Sequence, residues 1–151
     1  MAVADTVARF SWAQDTRDWA ALRSLLADRI TLDLSEHFDR PAEEMSAEEF
    51  MAKAQAVLEG FAVTHHATSN LVTEIKGHEA TCKAYVVAYH HIPADGADWC
   101  IMRGYWHLSL HKSREQWRIQ RIKVVRSTPF QGDPRLYQLA ADGPRAPYSR
   151  V

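Results

Sequence analysis

Long apolar runs are missing from this sequence. No stretch approaches the ~20 residues that span a bilayer, so no membrane contact is expected. An excess of one charge is missing too. The 18 basic and 19 acidic residues leave a net charge of −1, which supplies no basic field for nucleic acid or an anionic membrane. Cysteine is scarce: Cys82 and Cys100 make neither a disulfide framework nor a zinc knuckle. A reducing cytoplasm is therefore the expected location. The opening MAVADTVARF also lacks the basic start and long apolar stretch of a secretion signal. There is no internal repeat and no low-complexity segment. What is present is 151 residues, with eight histidines and five tryptophans. A chain of that length buries roughly 68–70% of its unfolded surface and holds a real core. One domain over residues 1–151 is expected.

The first 60 residues read as helical. Val3, Val7, Phe10 and Ala13 recur at helical spacing. Asp18 is a candidate N-cap for a second helix over Trp19 to Leu26. The alternating, β-rich residues 30–34 read as a short strand, and Pro41 lies in a polar loop. Ser46 and Glu49 form a capping box for a third helix that stops at Gly60. From Thr64 the period changes to two, giving strands at about 64–76, 79–92, 98–111 and 116–127. Their short connections imply antiparallel neighbours. The core spans about residues 5–127. The tail from 128 to 151 is expected to be irregular, with one turn near Leu136 to Leu139. Helices followed by a long meander make an α+β domain.

Strand faces follow from parity. Lys83 must face out, which turns Cys82, Ala84, Val86, Ala88 and His90 inward. The small side chains among them suit a sheet that curves around a cavity. In the next strand Met102, Gly104, Trp106, Leu108 and Leu110 face in. The outer face carries Tyr85, Val87, Tyr89 and Tyr105, so a homo-oligomer, dimer or trimer, is expected. No metal site is expected. The neighbours in His65-His66 and His90-His91 point to opposite faces. His107 and His111 share a face but stand roughly 13 Å apart.

Four runs carry a family likeness: FSWAQDTRDW over 10–19, THHATSN over 64–70, YHH over 89–91 and QWRI over 116–119. With them the chain resembles the SnoaL-like branch of the nuclear transport factor 2-like superfamily, closest to scytalone dehydratase and hexachlorocyclohexane dehydrochlorinase. The resemblance implies a cone-shaped, curved antiparallel sheet of mixed edge. The N-terminal helices would close a central pocket, as in cystatin-like α+β barrels. It implies an Asp–His pair at Asp15 and His66, with His90 as a second pocket histidine. Two tyrosines that hold a water in the dehydratase fall at Gln14 and Leu34 here, which argues against scytalone itself as substrate. Substrate-contact candidates are Trp12, Trp106, Asn70, Leu34 and Met102. Arg121 or Arg126 would hold an anionic group or else form ion pairs.

Imidazole titrates near operating pH. A carboxylate on one ring nitrogen fixes the tautomer and frees the other to take a proton from carbon. His90 would donate a hydrogen bond to a carbonyl or return the proton to a departing hydroxyl. On residue chemistry alone, Asp15 equally suits a helix cap or turn, and the histidines equally suit structural positions in a curved sheet. With the resemblance, the leading expectation is a lyase or isomerase that needs no cofactor. A dehydratase acting on a small apolar cyclic ketone or phenol comes first. The alternatives are a binding or assembly module without chemistry, and a polyketide cyclase or epoxide hydrolase.

Overall fold

A computed structural model describes residues 1–150. Helix α1 (Val3–Thr16) buries Val3, Val7, Phe10 and Ala13 and ends where Arg17 turns left-handed at φ 56°. Asp18 then caps α2 (Trp19–Ser24) by accepting the Ala21 N–H at 2.9 Å. Because Asp18 takes the cap, Asp15 is left for other partners. Strand β1 (Leu26–Glu36) begins where the second helix was expected to continue and is longer than the 30–34 segment. Strand β2 (Glu43–Ser46) lies where a polar loop was expected. Helix α3 (Ala47–Leu58) starts on the Ser46–Glu49 capping box. Four long strands follow: β3 (Val63–Lys76), β4 (Glu79–His91), β5 (Trp99–Ser113) and β6 (Gln116–Arg126).

The sheet order is β2-β1-β6-β5-β4-β3. Strands β3 to β6 pair antiparallel as their short connections dictate, whereas β1 joins β6 in parallel. The α+β expectation holds, as a curved mixed sheet with N-terminal helices against it. The barrel description does not: β2 and β3 end the sheet as free edges. Register shifts mark bulges in β1, β3 and β6, which bend strands and raise their twist. Burial alternates through β4 and β5 as parity requires, with Cys82, Ala84, Val86, Ala88 and His90 all buried. The small side chains leave room on the concave face.

The tail is more ordered than its four prolines suggest. Strand β7 (Gln131–Gly132) pairs with β5, and helix α4 (Leu136–Ala141) follows. Leu136 and Ala140 pack with Phe61, Ile92, Ala97 and Cys100 in a small cluster separate from the main core. Arg145 donates to the carbonyls of Gly60 at 3.0 Å and Leu139 at 2.7 Å, tying the tail to the end of α3. Gly60 is the contact that sets this docking. A Cβ there would lie 1.9 Å from the Ala140 carbonyl oxygen. Any side chain must push the α4 backbone away. Gly60→Ala is expected to cost about 1–3 kcal/mol as overpacking, or roughly 2–4 °C of Tm per kcal/mol. Thermal unfolding followed by circular dichroism checks this; an unchanged midpoint would mean that α4 is not held there.

Candidate active site

Asp15 sits on the last turn of α1 and faces the start of β3. Its carboxylate accepts three hydrogen bonds from that strand. The Thr64 hydroxyl donates to Oδ1 at 3.0 Å, the His66 backbone N–H donates to Oδ2 at 2.7 Å, and His66 Nδ1 meets Oδ1 at 2.6 Å. Burial works to raise the Asp15 pKa. The His66 side chain, its charge, its backbone N–H and the Thr64 hydroxyl together outweigh that and hold it below 3.8. A carboxylate on Nδ1 places the ring proton there, so Nε2 keeps its lone pair. The two side chains are only 9% and 17% exposed, so water competes little for the contact.

His66 lines a cavity of about 190 Å³ between the concave sheet and the helices. The walls are mainly apolar: Phe10, Phe50, Phe61, Met102 and Trp106 among others. Among the described residues, no Lys, Arg, Asp or Glu lines it. Trp106 packs edge-on to Phe10 at 5.2 Å and lies 5.8 Å from the His66 ring. An apolar cavity of about 150 Å³ accepts benzene, so this one takes a single ring with small substituents.

His90 stands in the same cavity, its ring centroid 6.1 Å from that of His66. Both its nitrogens are engaged. Nδ1 lies 3.2 Å from the Cys100 carbonyl oxygen, and Nε2 lies 3.2 Å from the Tyr137 hydroxyl. Burial, helped by the charge of His66, pushes its pKa down to about 4. The neutral ring gives its one proton to the carbonyl, so Nε2 accepts from Tyr137. This corrects the expectation that His90 donates to a ligand. Tyr137 comes from α4, and burial raises its pKa, so the phenol stays protonated. His37, just after β1, is also buried and has its pKa lowered to about 4, first by burial and then by Arg126 and Arg40. Its ring lies 3.8 Å from that of Phe38 and 6.0 Å from that of Tyr137, and its Nδ1 has no hydrogen-bond partner.

The other expected contact residues divide. Leu34, Met102 and Trp106 line the cavity. Trp12 does not: it is 71% exposed and borders a surface depression beside Trp117. It lies about 200° round α1 from buried Phe10, so nearness to Asp15 along the helix does not turn it inward. Asn70 is also misplaced. It sits in the β3 bulge with φ 54° and is exposed on the outer face beside Tyr85 and Tyr105. The bulge breaks the alternation that carries Thr64 and His66 inward. Arg121 pairs with Asp33 at 2.7 Å, and Arg126 donates to the His37 carbonyl with its guanidinium 4.4 Å from the Phe130 ring centre. Neither lines the cavity. His37, Phe38, Phe61 and Tyr137 were missed. For Tyr137 the one available signal was the helical spacing of Leu136, Leu139 and Ala140. Among the described residues, no His, Cys, Asp or Glu cluster is placed to hold a metal ion. Among the described residues, no helix is long and apolar enough to cross a membrane.

His90 and His37 have folded pKa values near 4 against an ordinary 6.5. The unfolded chain therefore takes up protons first as pH falls. Their contribution is fully present above about 6.5 and is lost as pH drops toward 4. The loss is on the order of 3 kcal/mol for His90, with a further share from His37. Asp15, depressed below 3.8, adds its loss only below that pH. Urea unfolding at pH 7, 6, 5 and 4.5 is expected to show a falling midpoint; a flat profile would exclude neutral buried imidazoles.

Comparison with known proteins agrees with this fold. The model of the SnoaL-like domain matches residues 1–123. No curated protein matches the chain at a significant level. Among solved structures, the Kfla4162 protein of Kribbella flavida is similar at TM-score 0.80 and 24% identity, over 91% of this chain and 93% of that one. A candidate scytalone dehydratase of Novosphingobium aromaticivorans gives TM-score 0.75 at 17% identity, over 99% and 93%. The hexachlorocyclohexane dehydrochlorinase LinA-type3 of Novosphingobium barchaimii gives 0.73 at 12%, over 88% of each. Those identities speak for the fold alone. The family match, covering most of the sequence, carries the assignment: the chain belongs to the SnoaL-like domain family.

Proposed function

We propose that the chain is a lyase or isomerase, in first place a dehydratase, in which Asp15 and His66 form the base. The observation that carries the reading is the 2.6 Å contact between Asp15 Oδ1 and His66 Nδ1 at the wall of an apolar cavity. Solved neighbours named for dehydratase and dehydrochlorinase activity give it context. The substrate is a small uncharged ring compound bearing a carbonyl and, two carbons away, a hydroxyl. His66 Nε2 takes the proton from the carbon between them. The C–H electron pair forms the new double bond, and the hydroxyl leaves with its bonding pair. The imidazolium returns its proton to that oxygen, so water departs and the ring ends neutral. In an isomerase the same proton returns to a different carbon. Asp15 stays ionised and stabilises the imidazolium while it exists. The apolar wall excludes bulk water and strengthens that interaction. No step calls for a metal or a redox group.

The step is testable with 3-hydroxycyclohexanone. Loss of water and exchange of the α-proton in D2O are expected to run faster with the protein than in buffer, both followed by NMR. His66→Ala is expected to lower that rate about 10²–10⁴-fold. Asp15→Asn is expected to lower it as well while leaving ligand binding in place, because an amide holds the ring in the wrong tautomer. If wild-type protein gives no acceleration with single-ring hydroxyketones, or His66→Ala retains the full rate, the cavity binds a ligand without transforming it.

A further inference from the structure

The cavity has a second polar pole, and the tail completes it. Three groups stand in line: the Cys100 carbonyl, the His90 imidazole and the Tyr137 hydroxyl, with 3.2 Å between each pair of polar atoms. Their order fixes the direction of every hydrogen. A carbonyl oxygen only accepts, so His90 Nδ1 carries the ring proton. An uncharged imidazole then has a bare Nε2, which takes the hydrogen of Tyr137. A phenol has one hydrogen, and here it is spent. What Tyr137 still offers is the lone pair on its oxygen, and its side chain lines the cavity. Phe61 and Phe38 pack edge-on against the Tyr137 ring at 5.7 Å and 5.0 Å and hold it in place.

We infer that Tyr137 is a specificity residue that accepts a hydrogen bond from a ring hydroxyl of the ligand, so the cavity selects an alcohol, enol or phenol over the matching ketone at this pole. The inference deepens the reading above. It rests on this cavity being the ligand site, not on His66 being the base. His90 acts through Tyr137 as a positioning residue: it points the phenol hydrogen away from the ligand. If His90 carried a second proton, Nε2–H would donate to Tyr137, which would then donate onward and favour a carbonyl. The burial that keeps His90 uncharged therefore sets the sign of the preference. His37 completes the pole, 6.0 Å from the Tyr137 ring.

Cyclohexanol and cyclohexanone are matched in ring size and differ in their ability to donate. Calorimetric or NMR titration of the full chain with each is expected to give tighter binding of the alcohol. Tyr137→Phe keeps the aromatic ring and removes the acceptor. It is expected to shift the alcohol-to-ketone ratio by about 2- to 10-fold toward the ketone, the worth of one neutral hydrogen bond. The tautomer is read independently in ¹⁵N-labelled wild-type protein, where His90 is expected to show protonated Nδ1 and bare Nε2. A ratio unchanged by Tyr137→Phe, a wild-type preference for the ketone, or a protonated Nε2 would each overturn the assignment. None of these readouts depends on turnover. Binding selectivity without catalysis would remove the base and leave Tyr137 standing; catalysis without selectivity would do the reverse.

Discussion

The Asp15 carboxylate is the joint on which the site depends. One half-buried anion at the end of α1 collects the side chain of Thr64 and both the backbone and the ring of His66. Three donors from one strand offset what it costs to take a carboxylate out of water. They also lock the helix to the sheet edge at the point where the cavity begins. Strand β3 is an edge strand, with a free backbone row on one side. The anchor therefore does double duty: it restrains an edge and orients an imidazole.

Two histidines of the same cavity are driven to different states by what flanks them. His66 has a carboxylate on Nδ1 and keeps a bare nitrogen toward the cavity. His90 has a carbonyl on one side and a phenol on the other, and burial keeps it uncharged. A cation forming on His66 would raise the cost of charging His90, since the rings stand 6.1 Å apart. One proton in the cavity thus discourages a second. Asp15, behind His66, is the ion that sets one of these states; among the described residues no Lys, Arg, Asp or Glu lines the cavity itself.

Much of this arrangement is legible in the sequence because it lies on regular elements. Parity placed His90, Met102 and Trp106 on one face, and the strands kept that parity across β4 and β5, while the family resemblance singled out His66 from its neighbour. The capping box and the Asp18 cap worked because capping is local chemistry. The failures share a cause as well. Asn70 was lost to a bulge, which one residue of left-handed backbone creates. Trp12 was misjudged because it stands on the solvent side of α1, away from buried Phe10. The parallel pairing of β1 with β6 joins residues some ninety positions apart, and no local pattern encodes it. Tyr137 was out of reach because a six-residue helix among prolines has little propensity of its own. It exists through docking on Gly60 and Phe61, a tertiary effect.

That docking gives the cavity walls two origins. The sheet, α1 and the Asp15 anchor belong to the main core, while α4 and its tyrosine rest on a satellite cluster that shares no buried residue with it. Changes in one cluster need not repack the other. Lineages that keep the sheet and rewrite only the last stretch of chain would keep the Asp15–His66 contact and acquire a new wall opposite it. A small fold divided in this way separates the inheritance of its buried Asp–His contact from that of the wall that faces it.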